Sequence, residues 1–226
     1  MSPYTGMGNN PVLISDHLGD SLNVTFSGQD AKNAFYMLIN DGLEGQFRLH
    51  VNKDNNRATL KAIDGKGDVS KLSKHGKAFY NELQTVMNGR GDTNVEAVFA
   101  DSEVHTGRFY ASKFDMADIN QFNSDVTELG GTAMGKLIHE LHEQYSGQGG
   151  SGRIGSSVFK NHHGPASRAE DRVNMSTRSD DPNRGNTQHF TRNGQTATIY
   201  IRTKNPGTWK SWGFRTNRSI IQVEKQ

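Results

Sequence analysis

A helical pattern through residues 132–147 places a strong constraint on the fold. Its apolar side chains recur at helical spacing, so at about 100° per residue they would share one face. Gly147 offers a C-terminal stop. The start is either Ser124-Asp125, which can cap a helix, or a position near Thr132, because two glycines separate these sites. The apolar face consists of Met134, Leu137, Ile138, Leu141 and Tyr145.

The opposite face of this helix carries a high density of ionisable groups. The run His139-Glu140-Leu141-His142-Glu143 packs two imidazoles and two carboxylates into little more than one turn. His139 and Glu143 are i and i+4 and would project together, with Glu140 on the flank. This arrangement is close to the His-Glu-x-x-His motif of zinc peptidases, in which the glutamate takes a proton from metal-bound water. Glu143 stands where that motif has histidine, and a carboxylate is also a zinc ligand.

A catalytic zinc site needs a third protein ligand. The best candidates lie in the segment Asn161-His162-His163-Gly164-Pro165. Pro165 suits the first turn of a second helix over residues 166–173, which would place His163 at the entrance of that helix. Glu170 would then be a further ligand, or a carboxylate that orients a ligating histidine. His162 is a candidate for the same two roles.

The composition indicates one large domain, or a domain with appendages, built on a modest core. The 226 residues include 32% hydrophobic residues and 25 glycines. No apolar run approaches the length of a membrane span, so no membrane association is expected, and the N-terminus lacks the pattern of a secretory signal. The absence of cysteine excludes disulfides and thiolate metal sites, and a cysteine-free chain can pass between reducing and oxidising compartments.

Charge is distributed unevenly along the chain. Residues 1–152 carry 13 Lys and Arg against 19 Asp and Glu, a net −6, whereas residues 153–226 carry 13 against 5, a net +8. The basic part interleaves cationic and aromatic residues around Trp209 and Trp212. Such a surface could bind nucleic acid, dock on the acidic part of the chain, or bind substrate. We favour the intramolecular and substrate interpretations, because the aromatic residues also suit a β-rich core.

Patterns elsewhere predict an α+β fold, with helices against a small mixed or antiparallel sheet. Residues 176–194 are polar and expected to be irregular, and the Gly- and Ser-rich residues 146–158 could form a lid or a linker. The predicted strands cover residues 22–26, 94–99, 108–112, 197–203 and 219–223, a hairpin joins 46–52 to 57–63, and helices cover 30–39 and 69–87.

Three short segments near the N-terminus form a recognisable series: Ser2-Pro3-Tyr4, Gly8-Asn9-Asn10-Pro11-Val12 and Asp16-His17-Leu18-Gly19. The series resembles the end of the core of Rhs (rearrangement hot spot) repeat proteins. In that family such a stretch closes the cage-forming repeat and precedes a variable C-terminal toxin. His17 stands where the family usually has proline. The resemblance implies a leader at residues 1–20 and a single toxin-like domain at residues 21–226.

Four later segments extend the resemblance: Ser27-Gly28-Gln29-Asp30-Ala31, the run from His139 to Tyr145, His163-Gly164-Pro165 and Ala169-Glu170. Together they resemble one class of Rhs-associated C-terminal domains with a His-Glu-x-x-Glu helix. The resemblance implies a zincin-like toxin that is delivered into a rival or host cell by an Rhs cage and its secretion machinery, and that a cognate immunity protein neutralises. By this match His139, Glu143 and His163 hold the metal and Glu140 is the general base.

The first functional hypothesis is therefore a secreted antibacterial or anti-host effector that acts as a zinc-dependent hydrolase, most simply a peptidase. His142 or Arg168 could stabilise an oxyanion in such a site. Arg168, Trp209 and Trp212 are the candidates for contacts with a protein or peptide substrate.

Two other classes of function stay open at this point. A nuclease toxin could use His162 or His163 as a general base, with or without a metal, and the basic part of the chain as a track for phosphates. A non-enzymatic binding module could simply have His139 and Glu143 as an i,i+4 pair on a polar helix face, a contact worth a few tenths of a kcal/mol.

Overall fold

The computed structural model shows an α+β protein, as the sequence predicts. Its described part contains five α-helices, a four-stranded mixed sheet, a two-stranded antiparallel sheet and a five-stranded antiparallel sheet. The expected leader at residues 1–20 and the candidate cap Ser124-Asp125 lie outside the described residues, as do residues 149–158. The structure describes residues 21–104, 106–123, 132–148, 159–175, 177–180, 187–192, 195–204, 209–216 and 220–224.

Helices and strands are interspersed in the first part of the chain, and the described elements after Asn174 are all strands. The helices are α1 (Gln29–Gly42), α2 (Lys74–Met87), α3 (Met116–Asn120), α4 (Ala133–Gln148) and α5 (Phe159–Asn174). The strands are β1 (Leu22–Phe26), β2 (Phe47–Val51), β3 (Ala58–Ala62), β4 (Thr93–Val98), β5 (Gly107–Arg108), β6 (Lys113–Asp115), β7 (Thr177–Asp180), β8 (Thr187–Arg192), β9 (Gln195–Lys204), β10 (Trp209–Thr216) and β11 (Ile220–Glu224).

The four-stranded sheet has the order β1-β4-β6-β5. β1 is parallel to β4, with Leu22 opposite Thr93, and β4 is parallel to β6. The short strand β5 is antiparallel to β6 and forms one edge of this sheet. Directly after β5, the carbonyl of Phe109 accepts a 3.0 Å hydrogen bond from the Gln144 side chain, which ties this edge of the sheet to α4.

Helices α1, α2 and α4 share one continuous apolar core with the mixed sheet. On α4, Leu137, Ile138 and Leu141 are completely buried, and Met134 and Tyr145 pack at the margin of the core. The apolar face predicted for this helix is therefore confirmed. Burying a side chain of this size stabilises the fold by roughly 1.5–3 kcal/mol. Within the described residues, no helix is long and apolar enough to cross a membrane.

The start of α4 is capped by Thr132, which confirms the later of the two predicted starts. Its Oγ1 accepts a 3.0 Å hydrogen bond from the Gly135 amide, as an N-cap side chain does. Thr132 also donates to Asn174 at the end of α5, from the amide at 3.1 Å and from the hydroxyl at 2.8 Å. The first residues of α4 thus meet the last residues of α5, so the two helices run antiparallel.

Four predictions about element boundaries are wrong. The helix expected from Val69 begins at Lys74. α5 begins at Phe159, seven residues before the predicted Ala166, so Pro165 lies inside the helix. A proline there removes one main-chain hydrogen bond, a cost that packing of α5 against α4 offsets. The strand expected at 108–112 ends at Arg108 and continues as a 3-10 turn. Parts of the segment expected to be irregular, residues 176–194, form β7 and β8.

The five-stranded sheet contains the basic C-terminal part of the chain. Its order is β11-β10-β9-β8-β7, and all neighbouring strands are antiparallel. Two of these strands, β9 and β11, correspond to predicted ones, whereas β10 was not predicted. On β10, Trp209 is paired with Lys204, and Trp212 is paired with Ile201 on one side and Val223 on the other.

Candidate metal centre

The polar side of α4 is buried, not exposed to solvent. His139, Glu140 and Glu143 retain only 4%, 7% and 4% of their accessible surface. Helix α5 packs along this side of α4, and α2 packs against both helices. Because burying ionisable groups is costly unless they are paired or bind a metal, an ordinary surface pair does not describe this helix face.

Three potential metal ligands converge between α4 and α5. His139 Nε2 lies 3.2 Å from Glu143 Oε1 and 3.2 Å from His163 Nδ1, and His163 Nδ1 lies 2.5 Å from the same Glu143 oxygen. All three ligand atoms are within 4.8 Å of one another, so the group could hold a metal ion. Two of the ligands come from one turn of α4 and the third from the facing turn of α5.

The three side chains differ in their access to solvent. The side chains of His139 and Glu143 are each 5% exposed, whereas that of His163 is 36% exposed. The group is therefore enclosed on the side of α4 and open on the side of His163. A closed structural zinc site has four protein ligands, and a catalytic one keeps a position open. Counted over the part of the chain that the structure describes, three candidate ligands with one-sided exposure fit the second kind of site.

His139 is held in one orientation by a buried carboxylate. Its Nδ1 lies 2.8 Å from Glu170 Oε2, and the other oxygen of Glu170 lies 3.1 Å from Lys136 Nζ. Glu170 is completely buried. This carboxylate favours a proton on Nδ1. The same ring orientation points Nε2 towards Glu143 and His163. From the sequence, Glu170 is expected to be a ligand or a carboxylate that orients a ligating histidine, and its contact with His139 Nδ1 fits the second role.

The contacts between these groups shift the pKa values of His139 and Glu143. Burial lowers the pKa of His139, but its contacts with Glu143 and Glu170 outweigh burial and raise that pKa to about 9. Burial has the opposite effect on a carboxylate and raises the pKa of Glu143. Hydrogen bonds from His139 and His163 outweigh burial and lower this pKa to about 2. Without a metal, positive charge on the His139 imidazole therefore balances the Glu143 carboxylate. A divalent cation could replace that positive charge.

Glu140 lies outside the ligand group and has the opposite electrostatic character. Burial, and then repulsion from the Glu143 carboxylate, raise the pKa of Glu140 to about 8. Its carboxylate lies against the backbone of β5, since a Cβ placed on Gly107 would be only 1.6 Å from Glu140 Oε2. A glycine at position 107 is thus required for Glu140 to occupy this place.

His142, His162 and Arg168 are not among the three convergent ligands. His142 faces α2, where its Nε2 is 3.0 Å from Glu82 Oε2. The ring of His162 stacks on Phe109, with 6.2 Å between ring centroids and 19° between planes. Arg168 is exposed on α5.

Three residues at this site were not anticipated from the sequence: Lys136, Glu82 and Gly107. Lys136 precedes His139 by three residues, so helical spacing alone could have placed it on the same face. Glu82 lies 60 residues from His142 along the chain, and Gly107 lies 33 residues from Glu140. Only the packing of α2 and β5 against α4 brings them to the site.

Comparisons with known proteins identify no relative. No protein-family model matches the chain, and neither the curated proteins nor the solved structures contain a match. The geometry of this site and the sequence motifs are therefore the evidence for its function.

Proposed function

We propose that this protein is a zinc-dependent hydrolase, most simply a peptidase, with zinc held by His139, Glu143 and His163. The observation that carries the proposal is the convergence of two imidazole nitrogens and one carboxylate oxygen in a site open on one side. Two histidines and a glutamate are a known ligand set of catalytic zinc sites. Nitrogen and oxygen donors of this kind suit zinc better than they suit calcium or magnesium, which prefer oxygen alone.

Glu140 has the properties of a general base. Zinc, when bound, would lower the pKa of a water molecule to about 7. Glu140 follows the first ligand directly, makes no contact that would make it a ligand, and has a pKa raised to about 8 by burial and by Glu143. A group with a pKa near the working pH can accept and return a proton within one catalytic cycle.

The edge strand β5 supports a peptide as the substrate. Within the described residues β5 pairs only with β6, and Gly107 on β5 lies against the Glu140 carboxylate. An extended peptide can add to such an edge through main-chain hydrogen bonds. Bound in this way, its backbone would run past the Glu140 carboxylate, which lies against Gly107. Arg168, exposed on α5, and the tryptophans of β10 are further candidates for substrate contacts.

The Rhs-like segments support a biological role as an effector toxin. In this proposal the chain is delivered into a competing bacterium or a host cell by an Rhs cage and its secretion machinery. A cognate immunity protein would protect the producing cell. Growth arrest on expression of the chain inside bacteria, relieved by Glu140→Gln, is the result expected from this role.

The decisive experiment compares Glu140→Gln with the wild-type protein for zinc content and for cleavage of a diverse peptide library followed by mass spectrometry. We expect one zinc per chain in both proteins and a loss of cleavage of about 100-fold or more in the variant, the usual contribution of a general base. Glu96→Gln is the matched control, because it removes a carboxylate that pairs with Lys113 at 2.9 Å in the same domain.

Two results would overturn the proposal. Full activity in Glu140→Gln would remove the general base from the mechanism, and zinc content far below one per chain in the wild-type protein would remove the metal. The same preparations incubated with plasmid DNA and total RNA test the nuclease alternative. Degradation of nucleic acid that survives His139→Ala would favour a nuclease. No zinc and no activity of either kind would favour a binding module.

A further inference from the structure

A second buried carboxylate connects three helices behind the metal centre. Glu82 on α2 is 7% exposed. Its Oε2 lies 3.0 Å from His142 Nε2 on α4 and accepts a 3.0 Å hydrogen bond from the Arg172 guanidinium on α5. Its Oε1 accepts a second hydrogen bond, of 2.5 Å, from Arg172 Nε. We call this arrangement the Glu82 clamp.

The clamp joins the two helices that supply the metal ligands. His142 is next to Glu143 in α4, and Arg172 follows His163 by nine residues in α5, or about 13 Å along the helix axis. The ligand group needs α4 and α5 at one particular separation and register, because two ligands come from one helix and one from the other. Glu82 contacts both helices from α2, outside the ligand group itself.

The chemistry of the clamp favours a defined geometry. An arginine that donates two parallel hydrogen bonds to a carboxylate constrains direction as well as distance. Burial raises the pKa of Glu82, but the contacts with His142 and Arg172 outweigh it and lower that pKa to about 2. The carboxylate therefore stays charged at neutral pH, and both partners remain attracted to it.

We propose that Glu82 is a positioning residue for the metal centre, which acts through His142 and Arg172 to hold His163 at binding distance from His139 and Glu143. This inference rests on the proposed zinc site. It also gives His142 a role in holding α4, instead of the oxyanion contact expected from the sequence.

The test measures the zinc dissociation constant by competition with a chromophoric chelator, at a temperature where every metal-free variant is folded by circular dichroism. Glu82→Gln keeps the shape of the side chain and removes its charge. We expect a dissociation constant at least about tenfold higher than in the wild-type protein, the usual effect of losing a residue that supports metal ligands. The visible spectrum of the Co²⁺-substituted variant should also shift, because the ligand geometry changes.

The matched control is Val86→Ala, one turn further along α2. Val86 is completely buried, and its side chain has no polar group that could take part in the clamp. This variant should lower the melting temperature of the metal-free protein and leave zinc affinity within about threefold of wild type. A purely structural role for Glu82 predicts instead that both variants lose zinc affinity in proportion to their loss of stability.

A second variant keeps the proposal testable if Glu82→Gln does not fold. Arg172→Met keeps a long unbranched side chain at a position that is 55% exposed. It removes only the contact between Glu82 and α5. This variant should also raise the zinc dissociation constant. The double variant should bind zinc no more weakly than Glu82→Gln alone, because both changes break the same Glu82–Arg172 contact.

The outcomes separate the two proposals. If the wild-type protein binds no zinc, the proposed function fails and the clamp has no metal centre to position. If the wild-type protein binds zinc and Glu82→Gln binds it equally well, or if Val86→Ala loses affinity to the same extent, only the role of Glu82 is refuted.

Discussion

Replacing Gly107 with alanine tests the place of the Glu140 carboxylate directly. The added Cβ would lie 1.6 Å from Glu140 Oε2 and 2.3 Å from its Cδ, whereas real Cβ contacts are essentially never shorter than 3.0 Å. Gly107 is not among the glycines with a positive φ, so alanine can adopt its backbone conformation without strain. The conflict is therefore with the end of the Glu140 side chain, which has to move.

The size of the effect follows from this distance. To relieve the contact, the carboxylate must retreat by about 1.4 Å, the difference between 3.0 and 1.6 Å. A displacement of about 1 Å at a reacting group can lower the rate about 100-fold, or about 2.7 kcal/mol in transition-state stabilisation. Overpacking a buried site costs about 1–3 kcal/mol of folding stability. Zinc affinity should change little, because the ligands are not displaced.

The assay uses the same peptide library and zinc measurement as the Glu140→Gln experiment, with the melting temperature as a third measurement. Gly28→Ala is the control, since a Cβ at that position would have no atom within 4 Å. Wild-type turnover in Gly107→Ala alongside an inactive Glu140→Gln would show that the Glu140 carboxylate does not need its place against Gly107. Loss of zinc from Gly107→Ala would also contradict the prediction, because the change would then have reached the ligands.

Three further predictions follow from the charges at the site. Zinc at 100 times its dissociation constant should stabilise the protein by about 2.7 kcal/mol, seen as a rise in melting temperature that His163→Ala abolishes. Glu170→Gln should cost about 3–5 kcal/mol in urea unfolding because it leaves the buried Lys136 ammonium without its carboxylate, and Lys136→Met added to it should recover part of the loss. The pKa of Glu82 is about 2 in the folded protein against an ordinary value of 4.5, so its stabilisation is complete above pH 4.5 and is lost as the pH falls towards 2. We expect this contribution to be about 1–2 kcal/mol once solvent screening at the half-exposed Arg172 side chain is allowed for, and Glu82→Gln should flatten that part of the stability curve.

Much of the helix that carries the site was predictable because its determinants are local. The spacing of Leu137, Ile138 and Leu141 identified the buried face, and Thr132 was one of two expected starts of α4. His163 was a candidate because few histidines follow the first pair of ligands closely in sequence. These inferences need only helical periodicity and capping chemistry, which act over a few residues.

Other features were not predicted correctly from the sequence, because they depend on contacts between elements distant in sequence. The proline rule predicted that α5 starts near Pro165, but contacts with α4 extend the helix to Phe159 and override the local preference. The polar face of α4 looks like a solvent-exposed face in the sequence, because periodicity distinguishes two faces but does not reveal what covers the polar one. Burial of His139 and Glu143 depends on α5, which packs there only in the folded chain.

The sequence by itself determined an amphipathic helix with metal-ligating groups at i and i+4, an α+β class and a short set of candidate third ligands. Only the tertiary structure decided that His163 faces His139 and Glu143, that Glu170 contacts His139 Nδ1, and that Gly107 and Glu82 contact the same helix. The difference lies in the distance along the chain over which the determinants act. Helix periodicity and capping act between neighbours in the chain, whereas ligand convergence and burial depend on how separate helices and a sheet edge pack together.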